Sequence, residues 1–208
     1  MKQKLVIDAD PGIGDALAIA LALSDPDLDV IALTASAGVV SGDQATRNLQ
    51  VIVETLDPAK WPRIGACHST VPVSTYDSLG GATRPIDLHG RYGLGEYEPP
   101  VSSLQHLKDS VKLLTDLVRE YPNELTLLTL GPLTNVYQAM ERSPDFLDLL
   151  GGLVCYGGTD RGSGDVSPVA EFNVHADPAS ARDVLTAHVT KTLVPIHIAR
   201  QFEVSFEE

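Results

Sequence analysis

Positive charge is scarce in this sequence. Lys and Arg number 15 against 28 Asp and Glu, a formal net charge of −13. A surface of that sign repels phosphate backbones and anionic bilayers, which argues against nucleic-acid and membrane partners. It admits a neutral ligand or a bound divalent cation. Cysteine is scarce as well. Cys67 and Cys155 each sit in an apolar stretch, and neither forms a C-x-x-C pair. Two reduced core thiols are expected. No apolar run approaches the length of a membrane span. Only three apolar residues, Leu5 to Ile7, separate the polar start from Asp8. That is not a secretion signal, so a cytoplasmic protein is expected.

What is present is a repeated strand–helix pattern. The 208 residues suit a single domain over 1–208. Short Val/Ile/Leu runs read as strands at Leu5–Ile7, Val30–Thr34, Arg63–Ala66, Leu125–Leu130, Leu153–Tyr156 and Thr192–Ile196. Helical patterns fall at Ala16–Leu23, Asp43–Leu56, Ser102–Glu120 with Ser102 as cap, a segment ending at Glu141, and Asp177–Ala187 with Pro178 at its first position. Ser74–Pro100 shows no period and reads as a long functional loop. Alternation of near-continuous apolar strands with helices predicts an α/β fold, a mostly parallel, Rossmann-like sheet covered on both faces. Ligands of such sheets bind beyond the carboxyl ends of the strands. Four polar loops follow strands there: Asp8–Asp15, Ala35–Asp43, Gly131–Asn135 and Gly157–Asn173. They are expected to converge on one crevice.

The first of these loops carries the chemistry. Asp8, Asp10 and Asp15 lie within eight residues, and carboxylates that close repel unless donors or a cation intervene. Pro11-Gly12 turns the chain so that Asp10 folds back toward Asp15. Hard oxygens in such a loop suit Ca²⁺ or Mg²⁺. Phosphate binding fits poorly, because Gly12-Ile13-Gly14 lacks the third glycine of a dinucleotide loop and no P-loop lysine follows. The plain alternative is that the three acids cap the following helix and face solvent.

Asp8-Ala9-Asp10-Pro11-Gly12-x-x-Asp15 resembles the N-terminal signature of the inosine–uridine preferring nucleoside hydrolases. Further matches follow in order: Gly38 with Thr46-Arg47-Asn48, His89-Gly90 with Gly93 and Gly95, Gly131-Pro132-Leu133-Thr134-Asn135, and Ala170-Glu171-Phe172-Asn173 before Asp177-Pro178. The resemblance implies hydrolysis of the N-glycosidic bond of ribonucleosides by a Ca²⁺-positioned water. It implies that Asp10 and Asp15 hold the ion with the backbone carbonyl of Leu130, and that Asp10 is the catalytic base. His89, Asp165, Glu171 and Asn173 would contact the nucleoside or another ribose-containing ligand. Tyr92 and Tyr97 are candidates to stack on the base. A homo-oligomer is expected.

The resemblance also has departures. Gly14 stands where the family carries a second aspartate, Val39 where it carries an asparagine near the metal, and Asp165 where it carries a ribose-binding asparagine. His197 stands where an aspartate is common. Family members also run about a hundred residues longer and carry a His-Asp pair in their last third. The chain therefore reads as a shortened homologue or a fragment, with weak activity on common nucleosides expected. The competing classes are a non-catalytic nucleoside- or sugar-binding homologue and an assembly module.

Overall fold

A computed structural model describes residues 2–68, 85–97, 107–162 and 164–202. Its centre is a parallel sheet of seven strands: β1 (Gln3–Ala9), β2 (Leu28–Ala35), β3 (Arg63–Ala66), β4 (Lys108–Asp109), β5 (Leu125–Thr129), β6 (Gly152–Tyr156) and β7 (Thr192–Val194). They lie in the order β4-β3-β2-β1-β5-β6-β7. β1 is thus central and reverses the direction in which the sheet is wound. In open parallel sheets, that switch point opens the crevice that binds ligands. β1 pairs with β2 along its full length and with β5 from Lys4 to Asp8.

Residue alternation sorts the core onto two faces. Leu5, Ile7 and Ala9 pack with Ile19 of α1 (Ile13–Ser24) and with Leu49 and Val53 of α2 (Gly42–Leu56). Val6 and Leu127 pack on the other face. There they meet Leu114 and Leu117 of α4 (Ser110–Glu120), Val136 of α5 (Thr134–Arg142), Val184 of α7 (Pro178–Thr186), and Phe146. Three shorter helices complete the described residues: α3 (Pro85–His89), α6 (Phe172–Ala176) and α8 (Ile196–Ala199).

Several boundaries differ from the sequence reading, each for a local reason. The helix expected from Ser102 begins at Ser110, because Lys108 and Asp109 pair with Gly65 and Ala66 as an edge strand. The Asp109 side chain then caps α4 by accepting from Lys112 N–H at 2.9 Å. Ser102 itself lies outside the described residues. The strand expected to reach Ile196 stops at Val194, since Pro195 has no N–H to donate and Ile196 opens α8. His89, expected in a loop, ends the one-turn helix α3. The cap at Asp177 with Pro178 behind it is as expected: Asp177 accepts from Ser180 N–H at 3.1 Å. Both cysteines are buried, and neither is in a disulfide. Among the described residues, no helix is long and apolar enough to cross a membrane.

Candidate active site

Beyond the carboxyl ends of β1, β5 and β6 lies a crevice of about 440 Å³. Asp10, Gly12, Gly14 and Asp15 line it from the first loop, Val39 from the second, and Leu130 from the end of β5. Tyr156, Asp165, Glu171 and Asn173 line it from β6 and the loop that follows, with His89 opposite. The residues expected to hold the ion or contact the nucleoside therefore reach one cavity, whereas the stacking candidates Tyr92 and Tyr97 do not. The Gly131–Asn135 loop is the exception among the four polar loops, since it contributes no lining residue.

Asp10 follows directly on β1. Its side chain is buried, and its Oδ2 accepts the Val39 N–H at 2.6 Å. Two glycines make room for it. A Cβ on Gly131 would stand 2.5 Å from Asp10 Oδ1, and one on Gly38 would overlap Oδ2. Asp15 sits in the first turn of α1. Burial holds Asp10 well above the usual carboxylate range, and the neighbouring Asp15 charge pushes it further. Burial likewise pushes Asp15 up to about 7.

A third acid lies behind the pair. Asp8 is fully buried, and its Oδ1 accepts from Thr34 Oγ1 at 2.5 Å and Asn135 Nδ2 at 2.8 Å. Asn135 also donates to the Ala35 carbonyl at 2.7 Å. This amide ties the ends of β1 and β2 together beneath Asp10, which explains what the Gly131–Asn135 motif does although it lines no wall. Burial pushes Asp8 up to about 7.

Two buried acids at about 7 make stability depend on pH. In the unfolded chain both ionise near 3.8. Between 3.8 and 7 the fold keeps protons that the unfolded chain has lost, so stability is full below about 3.8 and falls as pH rises to about 7. Each group can cost at most about 4 kcal/mol across that window. Thermal unfolding in chelator from pH 4 to 8 should show the melting temperature dropping, and Asp8→Asn, which keeps an acceptor for Thr34 and Asn135, should flatten the drop. A melting temperature that rises over this range would count against the buried-acid picture.

The opposite wall is built from backbone tethers. Glu171 is 2% exposed, and its carboxylate accepts three backbone N–H groups: Gly158 at 2.6 Å, Asn173 at 2.9 Å and Val174 at 3.2 Å. These bonds cap α6 and hold the glycine turn after β6. Asn173 Nδ2 donates to the Leu130 carbonyl at 2.7 Å and to the Tyr156 carbonyl at 3.3 Å. Asp165 Oδ1 accepts from Phe172 N–H at 2.8 Å. Across the crevice, His89 Nδ1 accepts the Ile13 N–H at 3.2 Å, and burial lowers its pKa. A neutral ring with Nδ1 as acceptor carries its proton on Nε2.

Could these residues hold a cation? Among the described residues no group of three or more His, Cys, Asp or Glu side chains gathers for one. The oxygens available are the Asp10 and Asp15 carboxylates and the Leu130 carbonyl. They are hard donors, and two adjacent buried carboxylates require a shared proton or a cation between them. The set fits a hard cation held from one side and completed by ligand and water oxygens.

Tyr92 and Tyr97, considered for stacking, do not line the crevice, and the Tyr92 carbonyl accepts from Asn48 Nδ2 at 2.7 Å. Tyr156 and Arg200 do line it, although neither was singled out. Tyr156 could have been found as the last residue of a strand whose carboxyl end faces the crevice. Arg200 had no such signal, because nothing was assigned after the strand expected to end at Ile196.

A doubly wound parallel sheet with a carboxylate floor at its switch point defines an α/β protein that takes its ligand beyond the strand ends. Comparison with known proteins makes this specific. The chain belongs to the inosine-uridine preferring nucleoside hydrolase family, whose model matches residues 5–208. It is 37% identical over 208 residues to uridine nucleosidase 1 of Arabidopsis thaliana, covering 99% of this chain and 60% of that protein. It is 31% identical over 204 residues to the inosine-uridine preferring nucleoside hydrolase of Leishmania major, covering 97% and 62%. Among solved structures, a plant nucleoside hydrolase superposes with a TM-score of 0.85 at 33% identity, covering 97% of this chain and 62% of that one. A purine-preferring ribonucleoside hydrolase from Gardnerella vaginalis superposes with a TM-score of 0.87 at 28% identity, covering 99% and 64%. The chain thus spans about 60% of the length of the curated relatives it matches.

Proposed function

We propose that the chain hydrolyses the N-glycosidic bond of ribonucleosides, with Ca²⁺ as its cation. The observation that carries this reading is the Asp10–Asp15 pair, Asp10 buried and Asp15 half-buried, on the floor of a crevice of about 440 Å³, a size that suits a nucleoside. Asp10, Asp15 and the Leu130 carbonyl would hold the ion. When bound, it supplies an anchor for the ribose diol and lowers the pKa of an attacking water.

The chain's own residues account for the rest. The Val39 N–H fixes the orientation of the Asp10 carboxylate, which takes the proton of the water as general base. Positive charge grows on the ribosyl carbon as the bond to the base breaks, and the carboxylates of Asp15, Asp165 and Glu171 face that charge. Glu171 and Asn173 keep the ribose side of the crevice in shape through their backbone bonds, and Asp165 offers a further acceptor. His89 presents Nε2–H as a donor to the nucleoside.

The reading includes a cytoplasmic setting, supported by two reduced, buried cysteines. It also includes a homo-oligomer, supported by Ile13, Leu17 and Leu21, which form an exposed apolar stripe on α1. Light scattering on the purified chain measures that part, and a monomer removes it.

The test of the main reading is base release from uridine and inosine, with calcium and then with chelator. Release that stops in chelator and returns with calcium is expected. Among the described residues no group of three or more His, Cys, Asp or Glu side chains is placed to hold a metal, which favours a second reading, a nucleoside-binding homologue without chemistry. Saturable nucleoside binding with no base released would establish that reading and remove the first.

A further inference from the structure

Gly14 leaves a gap in the wall of the crevice. A Cβ built there would meet nothing within 4 Å, and the residue lines the cavity beside Asp15. Tyr156 lines the same cavity from the end of β6. Its backbone is fixed by the parallel pairing of β6 with β5 and β7, and its carbonyl accepts from Asn173. Among the described residues, no hydrogen bond engages its phenol oxygen. The ring is half-buried and lines the crevice, so its O–H is open to a ligand or to solvent there.

Charge decides which role the phenol can play. Burial first, and then the charges of Glu171, Asp165 and Asp15, push its pKa up to about 12. It therefore stays an O–H donor at any working pH. A crevice otherwise supplied with acceptor oxygens on Asp10, Asp15, Asp165 and Glu171 has few neutral donors for a polyhydroxylated ligand.

We propose that Tyr156 is a substrate-contacting residue whose phenol O–H donates a hydrogen bond to a ribose hydroxyl, in the space that Gly14 leaves open. This inference rests on the nucleoside reading given above. It makes Tyr156 a determinant of sugar recognition rather than of the chemical step. Loss of the contact raises KM and leaves kcat nearly unchanged.

The experiment compares the parent chain with Tyr156→Phe in the presence of calcium. Four ligands are used: uridine, 2′-deoxyuridine, 3′-deoxyuridine and 5′-deoxyuridine. Affinity is read by calorimetry, or as KM where base is released. Removing one neutral hydrogen bond is expected to weaken uridine about 3- to 10-fold. One of the three deoxyuridines, the one lacking the contacted hydroxyl, is expected to bind parent and variant alike. A purely structural role for the ring weakens all four ligands by the same factor. That result, or unchanged uridine affinity in the variant, overturns the inference and leaves the nucleoside reading standing. A parent chain that binds none of the four removes the nucleoside reading, and this inference with it.

Discussion

Asp10→Ala is expected to lower base release by about 10²- to 10⁴-fold, the range spanned by a general base, and to abolish calcium binding measured by calorimetry. Both losses come from one carboxylate, which the Val39 N–H holds at the strand end. Stability should move the other way. In chelator the parent pays for burying Asp10 beside Asp15, whose charge raises it further. The alanine variant has no such repulsion and should unfold at a higher temperature than the parent at pH 8. Calcium should reverse that order by stabilising the parent alone. Base release from Asp10→Ala at the parent's rate would falsify the assignment of the base.

Gly38→Ala is expected to reach nearly the same end from the neighbouring loop. Its added Cβ would overlap Asp10 Oδ2. The backbone at 38 is not among the left-handed glycines, so alanine is tolerated there and the carboxylate is what must move. Turning Asp10 away breaks its bond to Val39 and misplaces the base by an ångström or so. Errors of that size cost roughly 10²-fold in rate. Overpacking should also lower stability by about 1–3 kcal/mol. Activity assays alongside denaturant melts separate the two effects. A variant with full activity would mean that Asp10 does not need its observed orientation.

The sheet was legible because its strands are short apolar runs with turn residues at each end. The floor was legible because three aspartates in eight residues have few explanations. What the chain pattern hid were long-range effects. β4 is two residues long and exists only through pairing with Gly65 and Ala66, which no local period announces. α8 hid behind Pro195, which ends a strand as readily as it opens a helix. Asn135 was noticed as part of a motif, but its work, tying Asp8 to Ala35, depends on partners 127 and 100 residues away. Glu171 and Asn173 read as ligand residues. The structure shows them bonded to backbone groups, a role that the sequence motif does not separate from ligand contact.

The contrast between floor and walls has an evolutionary consequence. Asp8, Asp10 and Asn135 are interlocked at the middle strand, so a change to any one disturbs the others. Leu88, Arg200 and Val166, by contrast, line the crevice from a one-turn helix, from the residue after another, and from an irregular loop, away from those bonds. Under the proposed function, single replacements at these three positions are expected to change base preference without touching Asp10 or Asp15. A mutagenesis library confined to those three positions should sample new specificities at little risk of misfolding.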